Sequence, residues 1–161
     1  MLRTDGISQT STREDPEMMI RVVSIVAMFA VFGAAPVWAA STPAPKNASV
    51  YIIWPPDGAV IRGGKLWVRM GLRNAGVAPK GVELPNVGHH HVLLDTDLPP
   101  LDEEIPSDRN HLHFGGGQTE ARLEDLAPGK HTLQLLLGDH DHTPHDPPIY
   151  SRKITITVPP Y

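Results

Sequence analysis

The sequence holds no cysteine. That absence excludes disulfides, thiolate metal sites, thiol nucleophiles and the Cys-ligated blue-copper centre. An exported form of the chain must hold together by its core alone. Strong charge is missing too: the formal net charge is −4, which argues against nucleic acid or an anionic membrane surface as the partner. No ten-residue window shows a sustained helical period with caps. No internal repeat is visible. Neither a GxSxG elbow nor an HExxH helix appears. The acidic run Asp102-Glu103-Glu104 lacks the alternation of an EF-hand and reads as a solvated loop. Gly115-Gly116-Gly117-Gln118 has no following Lys-Ser/Thr and follows no helix, so it reads as a turn or bulge and not as a phosphate loop.

Long apolar runs are equally scarce. The longest, VVSIVAMFAVFGAA at residues 22–35, falls short of the roughly 20 apolar residues that span a bilayer. Arg21 precedes it, and small residues stand at Val37 and Ala39, the −3 and −1 positions of a cut after Ala39. Basic start, short apolar centre and small-residue end are the layout of a secretory signal peptide. A retained anchor is the alternative. Met18 or Met19 would give such a peptide a more usual length. Residues 1–39 are therefore expected to be an N-terminal extension and signal peptide, residues 40–48 a Pro-rich linker, and residues 49–160 the folded domain. The expected location is periplasmic or secreted, with no membrane contact beyond the signal peptide.

What is present from residue 49 onward is a series of short strands and turns. Residues 49–54 are β-branched and aromatic, and Pro55-Pro56-Asp57-Gly58 is a turn signal. Residues 59–62 read as a second short strand, cut by Gly63-Gly64. Residues 65–72 alternate, with Leu66, Val68, Met70 and Leu72 on one face. Residues 74–88 read as loop, 90–95 as strand, 95–110 as a long acidic loop. Further strands are expected over 111–114, 118–123, 131–137 and 149–158. Turns at about 8–12-residue spacing point to an all-β antiparallel sandwich of about seven strands. The Cys…Trp…Cys pattern of antibody domains is not there.

Nine histidines are well above ordinary usage. They fall in four places: His89-His90-His91, His111-x-His113, His131, and His140-x-His142-x-x-His145. Side chains alternate along a strand. His89 and His91 therefore share a face with His90 opposite, and His111 shares a face with His113. Two such pairs on neighbouring strands gather three or four imidazoles, the donors of zinc or copper(II) sites. The loop that carries Asp139, His140, Asp141, His142, His145 and Asp146 can add a ligand or a carboxylate that orients one. The candidate metal ligands are His89, His91, His111, His113, His142 and His145. The competing reading is an internally hydrogen-bonded set of structural histidines, with His131 capping a sheet edge and His90 facing the core.

The stretches Pro56-Asp57-Gly58, GHHHVLLD (residues 88–95), HLHFGGGQTE (111–120), PGKHTLQL (128–135), GDHDHTPH (138–145), PPIYS (147–151) and ITITV (154–158) occur in this order. On them the chain resembles the bacterial family of the domain of unknown function 4399, over about residues 50–158. The resemblance implies an exported bacterial domain and carries no established activity. More loosely, the PxDG opening and the PGxHTLxL and ITITV close resemble bacterial immunoglobulin-like domains, which supports an immunoglobulin-like β-sandwich.

These readings combine into one expectation: a His-rich periplasmic metal-binding protein for zinc or copper(II). Storage, buffering or delivery is the expected role, since no acid/base pair stands beside a substrate pocket. The alternative is a structural or adaptor module of the cell envelope that binds a protein or glycan, with Trp54 and Trp67 on its contact face. A metal-dependent enzyme is chemically permitted by three His and an open position, but no substrate or catalytic residue is indicated.

Overall fold

The computed structural model describes residues 42–160. The segment read as extension and signal peptide lies outside the described residues. Eight strands follow one another: β1 (Ser49–Trp54), β2 (Leu66–Arg73), β3 (Gly76–Val77), β4 (Val87–Leu94), β5 (His111–Phe114), β6 (Glu120–Leu123), β7 (Gly129–Gly138) and β8 (Ile154–Val158). They form a two-sheet β-sandwich, one strand more than the expected seven. One sheet has the order β1-β2-β6. The other has the order β3-β4-β7-β8, with β5 also paired to β4.

The core lies between the sheets because period-2 alternation turns one apolar row from each strand inward. Val50, Leu66, Val68, Met70, Ala121 and Leu123 come from the first sheet. Val92, Leu133, Leu135, Leu137, Ile154, Ile156 and Val158 meet them from the second. Each fully buried Leu of β7 contributes about 1.5–3 kcal/mol of hydrophobic stabilisation.

The second sheet is also covered on its far side. Six consecutive residues of β4, Gly88–Leu93, are buried. Val92 faces the core, while Leu93 packs with Leu136 and Ile105 in a separate small cluster, joined by Leu98 and Leu101. Residues 95–110 therefore fold back over the outer face of the sheet. That cover lets β4 bury histidines on a face that would otherwise meet water.

Three expectations differ in detail. Residues 59–62 do not form a strand: a single parallel bridge joins Val60 to Thr157. The chain then turns through Arg62–Gly64, where Gly63 has φ 75. Residues 74–88 are not all loop, since β3 pairs in parallel with Val87 and Gly88. The last strand is regular only from Ile154. Before it, the Ser151 hydroxyl accepts from the Leu135 N–H at 2.9 Å, and a side chain stands where the ladder would place a carbonyl.

Part of the segment read as a linker is stitched to the domain. Ala44 donates its N–H to the Asp146 carbonyl at 2.8 Å, and Asp146 donates its own to Thr42 at 3.0 Å.

Candidate metal centre

Antiparallel register builds the site. His91 of β4 stands directly opposite His113 of β5. His89 lies two residues along on the same face. Opposite these two on the other flank, β7 offers Leu136 to His91 and Gly138 to His89. Gly138 is small of necessity: a Cβ there would lie 2.8 Å from His91 Cε1. Gly115 gives room in the same way, because a Cβ would overlap the His113 ring.

The fourth ring arrives from the loop after β7. Asp139 is 3 % exposed and organises this loop. Its Oδ1 accepts the N–H of Asp141 at 2.9 Å and of Thr143 at 3.0 Å. Its Oδ2 accepts the Thr42 hydroxyl at 2.6 Å. The turn holds His142 in the left-handed region, φ 69, a conformation that costs a non-glycine residue energy and persists only when its surroundings fix it. The Ile105 N–H donates to the His142 carbonyl at 2.8 Å.

His89, His91, His113 and His142 thus converge, and one nitrogen from each lies within 4.8 Å of the others. His142 Nε2 and His113 Nε2 are 2.7 Å apart, one donating to the other. His142 Nδ1 lies 3.3 Å from Glu104 Oε1. With its proton on Nδ1, His142 donates to that carboxylate and turns the Nε2 lone pair inward, the arrangement that orients metal-bound imidazoles.

Both nitrogens of His89 and both of His91 are buried without a hydrogen-bond partner. Such groups are rare in folded proteins, because each orphaned buried polar atom costs about 1–3 kcal/mol. A metal ion is one partner that removes the cost. The protonation state fits: burial first, then the His142 and His113 rings, pushes His89 down to about 4. Burial and the rings of His89, His113 and His142 push His91 down to about 2. Burial and His142 also lower His113. These rings are neutral at pH 7 and ligate without losing a proton. Four imidazole nitrogens with no oxygen donor suit zinc or copper(II) and not calcium or magnesium.

Two of the six sequence candidates stand outside the group. His111 shares the face of His113 but sits opposite Leu93, and its Nδ1 is 3.0 Å from Asp108 Oδ1. His145 is buried beneath Gly88, with Nε2 3.2 Å from the Val87 carbonyl. The remaining histidines are placed elsewhere. His90 faces the core side, with Nδ1 3.2 Å from the Gln118 carbonyl. His131 lies between Asp95 and the Ala127 carbonyl, 2.7 Å from each, and His140 pairs with Asp141. Glu104 was read as part of a solvated loop. Its contact with His142 has no local signal, since 38 residues separate the two.

No curated protein matches the chain. Among solved structures, the crystal structure of an engineered protein is 14 % identical with a TM-score of 0.42, over 71 % of this chain and 21 % of that one. The chain therefore spans about a fifth of that protein's length. The solution structure of the PKD domain (329–428) from human KIAA0319 is 12 % identical with a TM-score of 0.41, over 80 % of this chain and 93 % of that domain. The family model described as "Domain of unknown function (DUF4399)" matches residues 68–159. That span runs from within β2 to just past β8 and encloses all four converging histidines, and the chain belongs to this family.

Proposed function

We propose that this protein is an exported domain of the bacterial envelope that binds one zinc or copper(II) ion through His89, His91, His113 and His142. The observation that carries the reading is the pair of buried rings, His89 and His91, whose four nitrogens have no hydrogen-bond partner at the centre of a four-imidazole cluster. His90 and His145, outside the cluster, each leave one nitrogen without a partner, whereas His89 and His91 leave both. The role is storage, buffering or delivery of the ion. Four protein donors fill a tetrahedral shell, which is the mark of holding rather than of hydrolytic catalysis.

The test is metal content. The exported protein is purified without a His tag or chelator and submitted to elemental analysis. About one equivalent per chain is expected, and none after the double change His89→Gln and His91→Gln. No metal in the wild type, and no uptake on titration with zinc or copper(II), would refute the proposal.

A second reading, a partner- or glycan-binding module, has one observation in its favour. Trp54 and Trp67 are 49 % and 51 % exposed on the three-stranded sheet. Loss of partner capture on Trp67→Ala, with metal content unchanged, would support that role beside the first.

A further inference from the structure

The His89–His91 side of the cluster is closed by the sheet. The His113–His142 side is not. A cavity of about 490 Å³ opens there, lined by Lys80, Glu104, Ile105, Pro106, Ser107, His113 and His142. Glu104 is engaged with His142 Nδ1. Lys80 is the cationic side chain of this lining; the residue is exposed, and its backbone is fixed. The Lys80 N–H donates to the Gly115 carbonyl at 2.8 Å, and the Gly81 N–H donates to the His140 carbonyl at 3.0 Å. The turn that carries Lys80 is thereby fastened to both segments that deliver ligands, the end of β5 and the loop of His142.

A lysine at this position is unhelpful to a site that only holds a cation. Like charges repel, and an ammonium close to a divalent ion weakens its binding. Four imidazoles bring no negative charge of their own, and Glu104 is the single carboxylate of the cavity lining, so part of the ion's charge is left uncompensated. An anion seated between the ion and the ammonium resolves both. We infer that, with copper(II) held by the four imidazoles, the cavity takes a small anion, a carboxylate or inorganic oxyanion, as a fifth donor on the His113–His142 side, paired with Lys80. This rests on the metal-binding reading above. In it, copper(II), which accepts a fifth donor beyond four imidazoles, is the ion that shows the anion most directly.

Azide is the probe, because its binding to copper(II) creates a charge-transfer absorption band. The copper-loaded full chain is titrated with azide at pH 7.5, as wild type, Lys80→Met and Lys80→Arg. A saturable band is expected in the wild type, displaced by acetate or by phosphate. Lys80→Met is expected to weaken azide roughly fivefold or more, as loss of a short charge pair predicts. Copper affinity in that variant should stay level or rise, and Lys80→Arg should retain azide. Copper held without an azide band, or azide affinity equal in wild type and Lys80→Met, would overturn the anion site alone. Failure of the wild type to hold copper or zinc would overturn the metal reading and the anion site together.

Discussion

His91 carries a cost that the metal-free protein has no means of offsetting. It is fully buried, neither nitrogen has a hydrogen-bond partner, and it is the most acid-shifted ring of the group. Replacing it with an apolar side chain of similar size removes two orphaned polar atoms. His91→Leu is therefore expected to leave the metal-free protein as stable or up to about 2 kcal/mol more stable, while zinc no longer raises its melting temperature. Denaturant unfolding with and without zinc measures both. A strongly destabilised His91→Leu apo protein would show that the ring has structural partners. The pH dependence follows from the same burial. Unfolded imidazoles titrate near 6.5, whereas His89 and His91 sit at about 4 and about 2 in the fold. Below pH 6.5 the unfolded chain takes up protons that the fold refuses. Apo stability should fall by about 1.4 kcal/mol per pH unit for each ring, down to about 4 for His89 and on toward 2 for His91. His131 has the opposite sign. Burial works against its charge, but the Ala127 carbonyl and Asp95 raise it above 6.5, and only the imidazolium donates to both. Its contribution is full below pH 6.5 and fades as pH rises through its folded value. Unfolding curves from pH 5 to 8 should show the acid limb flattened in His91→Leu and the alkaline decline removed in His131→Gln.

At the scale of elements, the site is a strand pair plus one loop, and the two differ in how far the sequence discloses them. The HxH spacing in β4 and β5 puts His89 with His91, and His111 with His113, by strand alternation alone. The choice between His111 and His113 rests on register. A shift of two residues would set His111 against His91 with every face unchanged, so periodicity is silent on it. The choice of His142 over His145 rests on the Asp139 turn, where Asp141 and Thr143 bind one carboxylate oxygen. The β-sandwich was legible because its strands alternate and its turns carry Pro and Gly. The strand expected at residues 59–62 was lost to the turn at Gly63, and the cover over the outer sheet face comes from a loop with no period. The Asp139 turn is itself braced by Thr42. Thr42→Val is expected to weaken zinc binding roughly tenfold, as changes behind a metal ligand do, and Thr42→Ser to restore it. Equal zinc affinity in wild type and Thr42→Val would show that the loop holds His142 without this brace.

On the scale of the whole molecule, the sandwich keeps its apolar core and its four converging histidines on opposite faces of one sheet. Leu133, Leu135 and Leu137 of β7 belong to the core between the sheets, while Leu136 belongs to the outer cover. That separation lets the site change without dismantling the fold. A bound ion adds stability by mass action, about 2.7 kcal/mol at one hundred times its dissociation constant. Leu135→Ala should cost about 2–5 kcal/mol whether or not zinc is present. Its zinc affinity should match that of the wild type at temperatures where it remains folded. The most direct test of the account is the coordination shell itself, read by X-ray absorption on the zinc-loaded protein. The account predicts four imidazole nitrogens at about 2.0–2.1 Å, falling to three or to no bound zinc in His142→Ala. A shell dominated by oxygen, or one that is unchanged in His142→Ala, would contradict it.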